Sequence, residues 1–139
     1  MHRESFTAVG HEQVTATHES TLELTTDDWL TPAGDCIVGV DASAAPSDFH
    51  EGFVEACQSP TARITLELAT SNEMARITGR GHPDLSFVNT RSMVARTSAY
   101  VDDRTIMVDA DRSAADLERS MVRALQHGEE ITATIRVQE

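Results

Sequence analysis

The chain has 139 residues, one domain's worth, with 23 acidic residues against 11 basic ones and a net charge of −12. No stretch approaches the roughly 18 apolar residues of a membrane span, and residues 1–10 lack a basic end followed by an apolar run, so no signal peptide is expected. The composition therefore points to a cytoplasmic protein with no membrane partner.

Every basic residue is Arg; there is no Lys. A carboxylate surface stays hydrated and self-repelling in concentrated salt, whereas Lys stems would add apolar surface that salt drives together. In dilute buffer this charge argues against nucleic acid. In 1 M salt the Debye length shrinks to about 3 Å, so nucleic acid is disfavoured without being excluded. Cys36 and Cys57 have no metal-type spacing and read as small core hydrophobes.

In chain order, a short strand is predicted at 6–9 and a longer one at about 13–25, where Val14, Ala16, Leu22 and Leu24 alternate with polar residues. A third strand follows at about 35–41. Then comes a helix with Pro46 in its first turn and Phe49, Phe53 and Cys57 as an i, i+4, i+8 stripe, ended by Pro60. A last strand is predicted at 62–68. The same order then recurs: strands at 75–78, 84–96 and 104–109, a helix striped by Leu117, Met121 and Leu125 and ended by Gly128, and a strand at 131–137. Gly10-His11 matches Gly81-His82 at an offset of 82 − 11 = 71, and Val40-Asp41-Ala42 matches Val108-Asp109-Ala110 at 109 − 41 = 68. The expected fold is thus α+β: one domain, 1–139, with a β-β-β-α-β unit at about 5–70 and again at about 75–138. Two such units pack about a pseudo-two-fold axis, as a mixed sheet or partly closed barrel with two helices.

His18 shares parity with the apolar residues of its predicted strand, and its repeat partner is Asn89. A buried His needs a hydrogen-bond partner or a ligand. His11 and His82 each follow a glycine that permits a sharp bend. If the axis passes between them, His11, His18 and His82 converge, with Asp35, Asn89 and Arg104 beside them, as a small-ligand or catalytic site. The same three histidines could hold a divalent metal, although nothing like HExxH accompanies them. The plainer reading makes the histidines turn or core residues and the repeated acids, Asp35 with Asp103 and Asp41 with Asp109, turn formers and helix caps. A second functional reading is a non-catalytic module that holds an anionic ligand, RNA or a protein through Arg91, Arg96, Arg104 and Arg112 of the second copy. It requires these arginines to form one exposed cluster free of carboxylates. Aromatics, 4% of the chain, are too few for a base-stacking platform. The sequence leaves a homo-oligomer open and gives no reason for an organic cofactor.

Gly10-His11 with Val14-Thr15-Ala16-Thr17-His18, the segment Leu30-Thr31-Pro32-Ala33-Gly34-Asp35-Cys36-Ile37-Val38-Gly39-Val40, Gly81-His82-Pro83, Met93-Val94-Ala95-Arg96, and Arg104-Thr105-Ile106-Met107 with the run from Ala110 to Asp116 resemble an archaeal domain of unknown function, DUF371. The resemblance spans nearly the whole chain and implies an archaeal cytoplasmic protein. It supplies no activity. The family commonly carries His where this chain has Asn89, so a site relying on that histidine is altered here. The acidic, lysine-free composition resembles proteins of halophilic archaea.

Overall fold

A computed structural model describes residues 2–139. The first copy contributes β1 (His2–Val9), β2 (Thr21–Thr25), β3 (Ile37–Gly39), α1 (Glu51–Cys57) and β4 (Arg63–Ala69). The second contributes β5 (Met74–Arg80), β6 (Ser92–Arg96), β7 (Thr105–Met107), α2 (Arg119–Gln126) and β8 (Glu130–Gln138). The β-β-β-α-β duplication is therefore present. One sheet is antiparallel, in the order β1-β8-β4-β5; the other is mixed, in the order β3-β2-β6-β7. Neither closes into a barrel, and single bridges, Val9 to Val40 and Arg80 to Val108, tie their edges at equivalent points.

The period-two pattern of β4 and β8 puts Ile64, Leu66, Leu68, Ile131, Ala133, Ile135 and Val137 in the core, all 1% exposed or less. From the other sheet they meet Leu22, Leu24, Met93 and Ala95. All four phenylalanines of the chain form one cluster, Phe6, Phe49, Phe53 and Phe87, with ring centroids 5.4–6.1 Å apart. Phe49, Phe53, Cys57, Leu117, Met121 and Leu125 are buried as their spacing predicts. The helices themselves start later: Pro46 opens a single 3-10 turn, Pro46–Asp48, and α1 begins at Glu51.

The register locates the axis. Val9 of β1 pairs with Glu130, and its equivalent, Arg80 of β5, pairs with Arg63, so Arg63 and Glu130 correspond at an offset of 130 − 63 = 67. At that offset Glu67 corresponds to Thr134, and these two pair with each other. In the other sheet Glu23 corresponds to Val94 at an offset of 94 − 23 = 71, and they too are direct partners. The pseudo-two-fold axis therefore pierces both sheets, through Glu67/Thr134 in one and Glu23/Val94 in the other.

Candidate ligand site on the pseudo-two-fold axis

The long strands predicted at 13–25 and 84–96 are shorter than expected. Only Thr21–Thr25 and Ser92–Arg96 are extended, and the residues before them form turns. Ala16 and Phe87, equivalent at offset 71, both adopt left-handed backbone, φ 50° and 55°. Such a residue breaks the alternation of a strand. Val14 and Ala16 are fully buried all the same, which is why their spacing imitated a strand. Each turn is held by the opposite copy: Gln126 Nε2 donates to the Val14 carbonyl (2.8 Å) and Gln58 Nε2 to the Leu85 carbonyl (2.9 Å). Arg119 adds donations to the carbonyls of Thr15 and Ala16.

The histidines serve these turns. His11 Nδ1 accepts from the backbone N–H of Gln13 at 3.0 Å, and His82 Nδ1 accepts from that of Asp84 at 3.0 Å. His18 Nδ1 accepts from the backbone of Ser20 and Thr21 at 3.2 and 3.1 Å. At the equivalent place Asn89 Oδ1 accepts from Arg91 and Ser92 at 2.9 and 2.7 Å. His18 and Asn89 thus play one structural role, and both satisfy backbone donors at the start of a strand. Among the described residues no three His, Cys, Asp or Glu side chains are grouped as a metal ion requires; this holds for the expected set His11, His18 and His82.

Other expected site residues do meet. The Asp35 carbonyl accepts from the backbone of Thr17 and His18. Asn89 Nδ2 donates to Asp103 at 3.3 Å. Asn89 and Arg104 then share a cleft of about 250 Å³ with Glu23, Asp27, Trp29, Ile37, Arg91 and Ser92. The cleft lies where the axis leaves the second sheet.

Glu23 in its floor was not predicted, and Arg96 is buried where an exposed arginine was expected. Glu23 and Arg96, 8% and 9% exposed, are the only buried charged side chains among the described residues. Both alternate with core residues, so both project to the sheet face away from the core, which the segments 26–36 and 97–104 cover. Arg96 donates to Thr105 Oγ1 (2.8 Å) and to Asp102 (2.9 Å), and its guanidinium lies 4.9 Å from the centre of the Tyr100 ring, within cation–π range. Burial raises the Asp102 carboxyl, but the Arg104 backbone N–H and the Arg104 and Arg96 guanidinium groups outweigh it and hold it at about 2. Glu23 sits 3.9 Å from Arg104, an open pair, and accepts a long contact from the Cys36 thiol. Burial, then the Glu23 charge, pushes that thiol up to about 11, so it stays protonated at neutral pH and is no ready nucleophile. The cleft mouth carries Trp29, 57% exposed. A signal for this floor existed in the sequence: Glu23 interrupts an otherwise apolar and Thr strand, Thr21–Thr25.

The arginines expected to cluster freely in the second copy are engaged. Arg91 pairs with Asp27 at 2.7 Å, Arg96 with Asp102, and Arg104 with Asp102 at 3.2 Å. Arg112 takes no part in this network.

The family model described as Domain of unknown function (DUF371) matches residues 6–138. The chain belongs to this family. It is also similar to an uncharacterized protein of the archaeon Methanocaldococcus jannaschii, 41% identical over 130 residues that cover 94% of this chain and 96% of that relative. In this family member the matched region contains both turns, the whole axial cleft and both sheets apart from the first residues of β1. No helix among the described residues is long and apolar enough to cross a membrane.

Proposed function

We propose that the chain binds a small polar ligand in the axial cleft, with Glu23, Asn89, Arg91 and Arg104 as the recognising groups. The observation that carries this is the burial of Glu23 and Arg96 together on one sheet face. Buried charge is costly and gathers where a protein has a use for it. The cleft offers both signs: carboxylates on Glu23 and Asp27, guanidinium groups on Arg91 and Arg104. The fitting ligand therefore carries both an acidic and a basic group, as an amino acid does. Its acidic group takes the guanidinium donors of Arg104 and Arg91 that Asp102 and Asp27 leave free, and its ammonium takes the Glu23 carboxylate.

Trp29 is the only tryptophan of the chain and lines the cleft, so its emission is a direct probe. Titration with glycine, glutamate and arginine is expected to give a saturable change for at least one of them, lost in Glu23→Gln and in Arg104→Gln. No saturable change with any of the three would overturn the reading. We infer as well that the acidic, lysine-free surface suits concentrated salt. The midpoint of thermal unfolding is then expected to rise with KCl into the molar range, and a flat or falling midpoint would contradict this.

A further inference from the structure

The other end of the axis emerges on the outer face of the antiparallel sheet, and its chemistry is opposite to that of the chain as a whole. Strand alternation places Arg3, Arg63, Arg76, Arg80 and Arg136 there, five of the 11 arginines. Two carboxylates share the face among the described residues: Glu67 at its centre and Glu130 at the far end of β8, opposite Val9. Arg3 stands directly opposite Arg136, and Arg63 directly opposite Arg80. Directly opposed side chains lie about 4.5–5.5 Å apart at Cβ, and like charges so placed destabilise a sheet. A chain with 23 carboxylates could relieve both pairs and does so only partly. Glu67 is shared by Arg76 and Arg136, and Asp109 reaches Arg80 from the edge. Arg3 and Arg63 have no ion pair among the described residues.

The face is also concave. Arg63, Arg76 and Arg136 line a cleft of about 270 Å³ with Thr65, Thr78 and Gln138, and among the described residues no acidic one lines it. Thr65 and Thr78 are cross-strand partners with hydroxyls 3.4 Å apart. Guanidinium forks and hydroxyl donors around one hollow are the recognition set for phosphate oxygens. No aromatic side chain lies on this face to stack a base. We propose that this cleft is a second, separate site that binds a diphosphate group, through Arg63 and Arg136 with Arg76 and the two threonine hydroxyls. The charge of the ligand offsets the opposed arginines, and the absence of a stacking surface makes any attached nucleoside incidental.

Calorimetric titration with inorganic pyrophosphate tests this, at the lowest salt that keeps the fold. Saturable 1:1 binding is expected, weakened about tenfold or more in Arg63→Gln and in Arg136→Gln, each of which removes a charge-assisted contact. ADP should compete for the same site, which shows that the diphosphate and not its source is read. Arg63→Gln gives up no ion pair and relieves an opposed pair, so it should unfold no earlier than the parent without ligand, whereas Arg136→Gln also loses the Glu67 pair and should unfold slightly earlier. Absence of pyrophosphate binding, or binding unchanged in both variants, would overturn the proposal. So would binding of a single-stranded oligonucleotide where pyrophosphate fails.

Discussion

The first copy presents Glu23, Thr25 and Cys36 at the places where the second presents Val94, Arg96 and Arg104. Around these residues the backbone repeats closely. Asp41 and Asp109 share left-handed φ values of 54° and 52°. Asp48 and Asp116 each accept from a backbone N–H three residues earlier at 2.8 Å. The His18 carbonyl accepts from Ala115 as the Asn89 carbonyl accepts from Ser47. The two copies thus keep the residues that set the chain's path and diverge where the axis brings them face to face. The acid comes from one copy and the bases from the other, and a strictly symmetric dimer of one repeat could not place them so.

The sharpest way to break this comparison is to truncate the diverged pair. Arg96→Ala removes the buried side chain with its bonds to Thr105 and Asp102 and its contact with Tyr100, Asp102 keeping Arg104, and should cost about 2–3 kcal/mol, read by denaturant unfolding. Thr25→Ala at the equivalent position removes the bond from the Asp27 N–H and one buried methyl and should cost about 1–2 kcal/mol. Equal losses would mean that the buried arginine has no special standing. The shared glycines should behave alike instead. A Cβ at Gly10 would overlap the Leu125 carbonyl, and one at Gly81 the carbonyls of Cys57 and Ser59. Gly10→Ala and Gly81→Ala should each lose about 2 kcal/mol through overpacking, and a marked difference between them would weaken the equivalence.

A pH titration sharpens the second copy alone. Asp102 is lowered from its ordinary 3.8 to about 2. A depressed carboxyl adds stability that is complete above the unfolded value and lost as pH falls through the folded one. The parent should therefore exceed Asp102→Asn in stability above about pH 4, and the gap should narrow between pH 4 and 2. The smallest effect belongs to the turns. His18→Asn and Asn89→His exchange one backbone acceptor for another, so each should change stability by less than about 1 kcal/mol, whereas alanine at either site should cost more.

The order of elements was legible because apolar spacing and turn residues repeat in both halves. The strand lengths were not: Val14 and Ala16 are buried at alternate positions, as in a strand, but a left-handed Ala16 and side chains from the opposite copy hold them in a turn. The same misreading put His18 on a strand face. Of the site, Asn89 was legible from the repeat, and Arg104 as one of the few basic residues, beside the third strand of the second copy. Glu23 was not, and Arg96 was expected only in an exposed cluster, since a charged residue in a short strand normally marks a solvated face; the covering segments 26–36 and 97–104 bury both here. The arginine face was hidden for a related reason: which arginines oppose each other depends on pairing β1 with β8 and β4 with β5, and that pairing crosses between copies.

The most direct test of the axial account is a backbone-amide NMR titration with glutamate. The account predicts saturable shifts concentrated at Glu23, Asn89, Arg91 and Arg104, with Ser5, Arg63 and Arg136 on the opposite sheet unmoved. Shifts spread over the surface, or gathered away from the cleft, would contradict it.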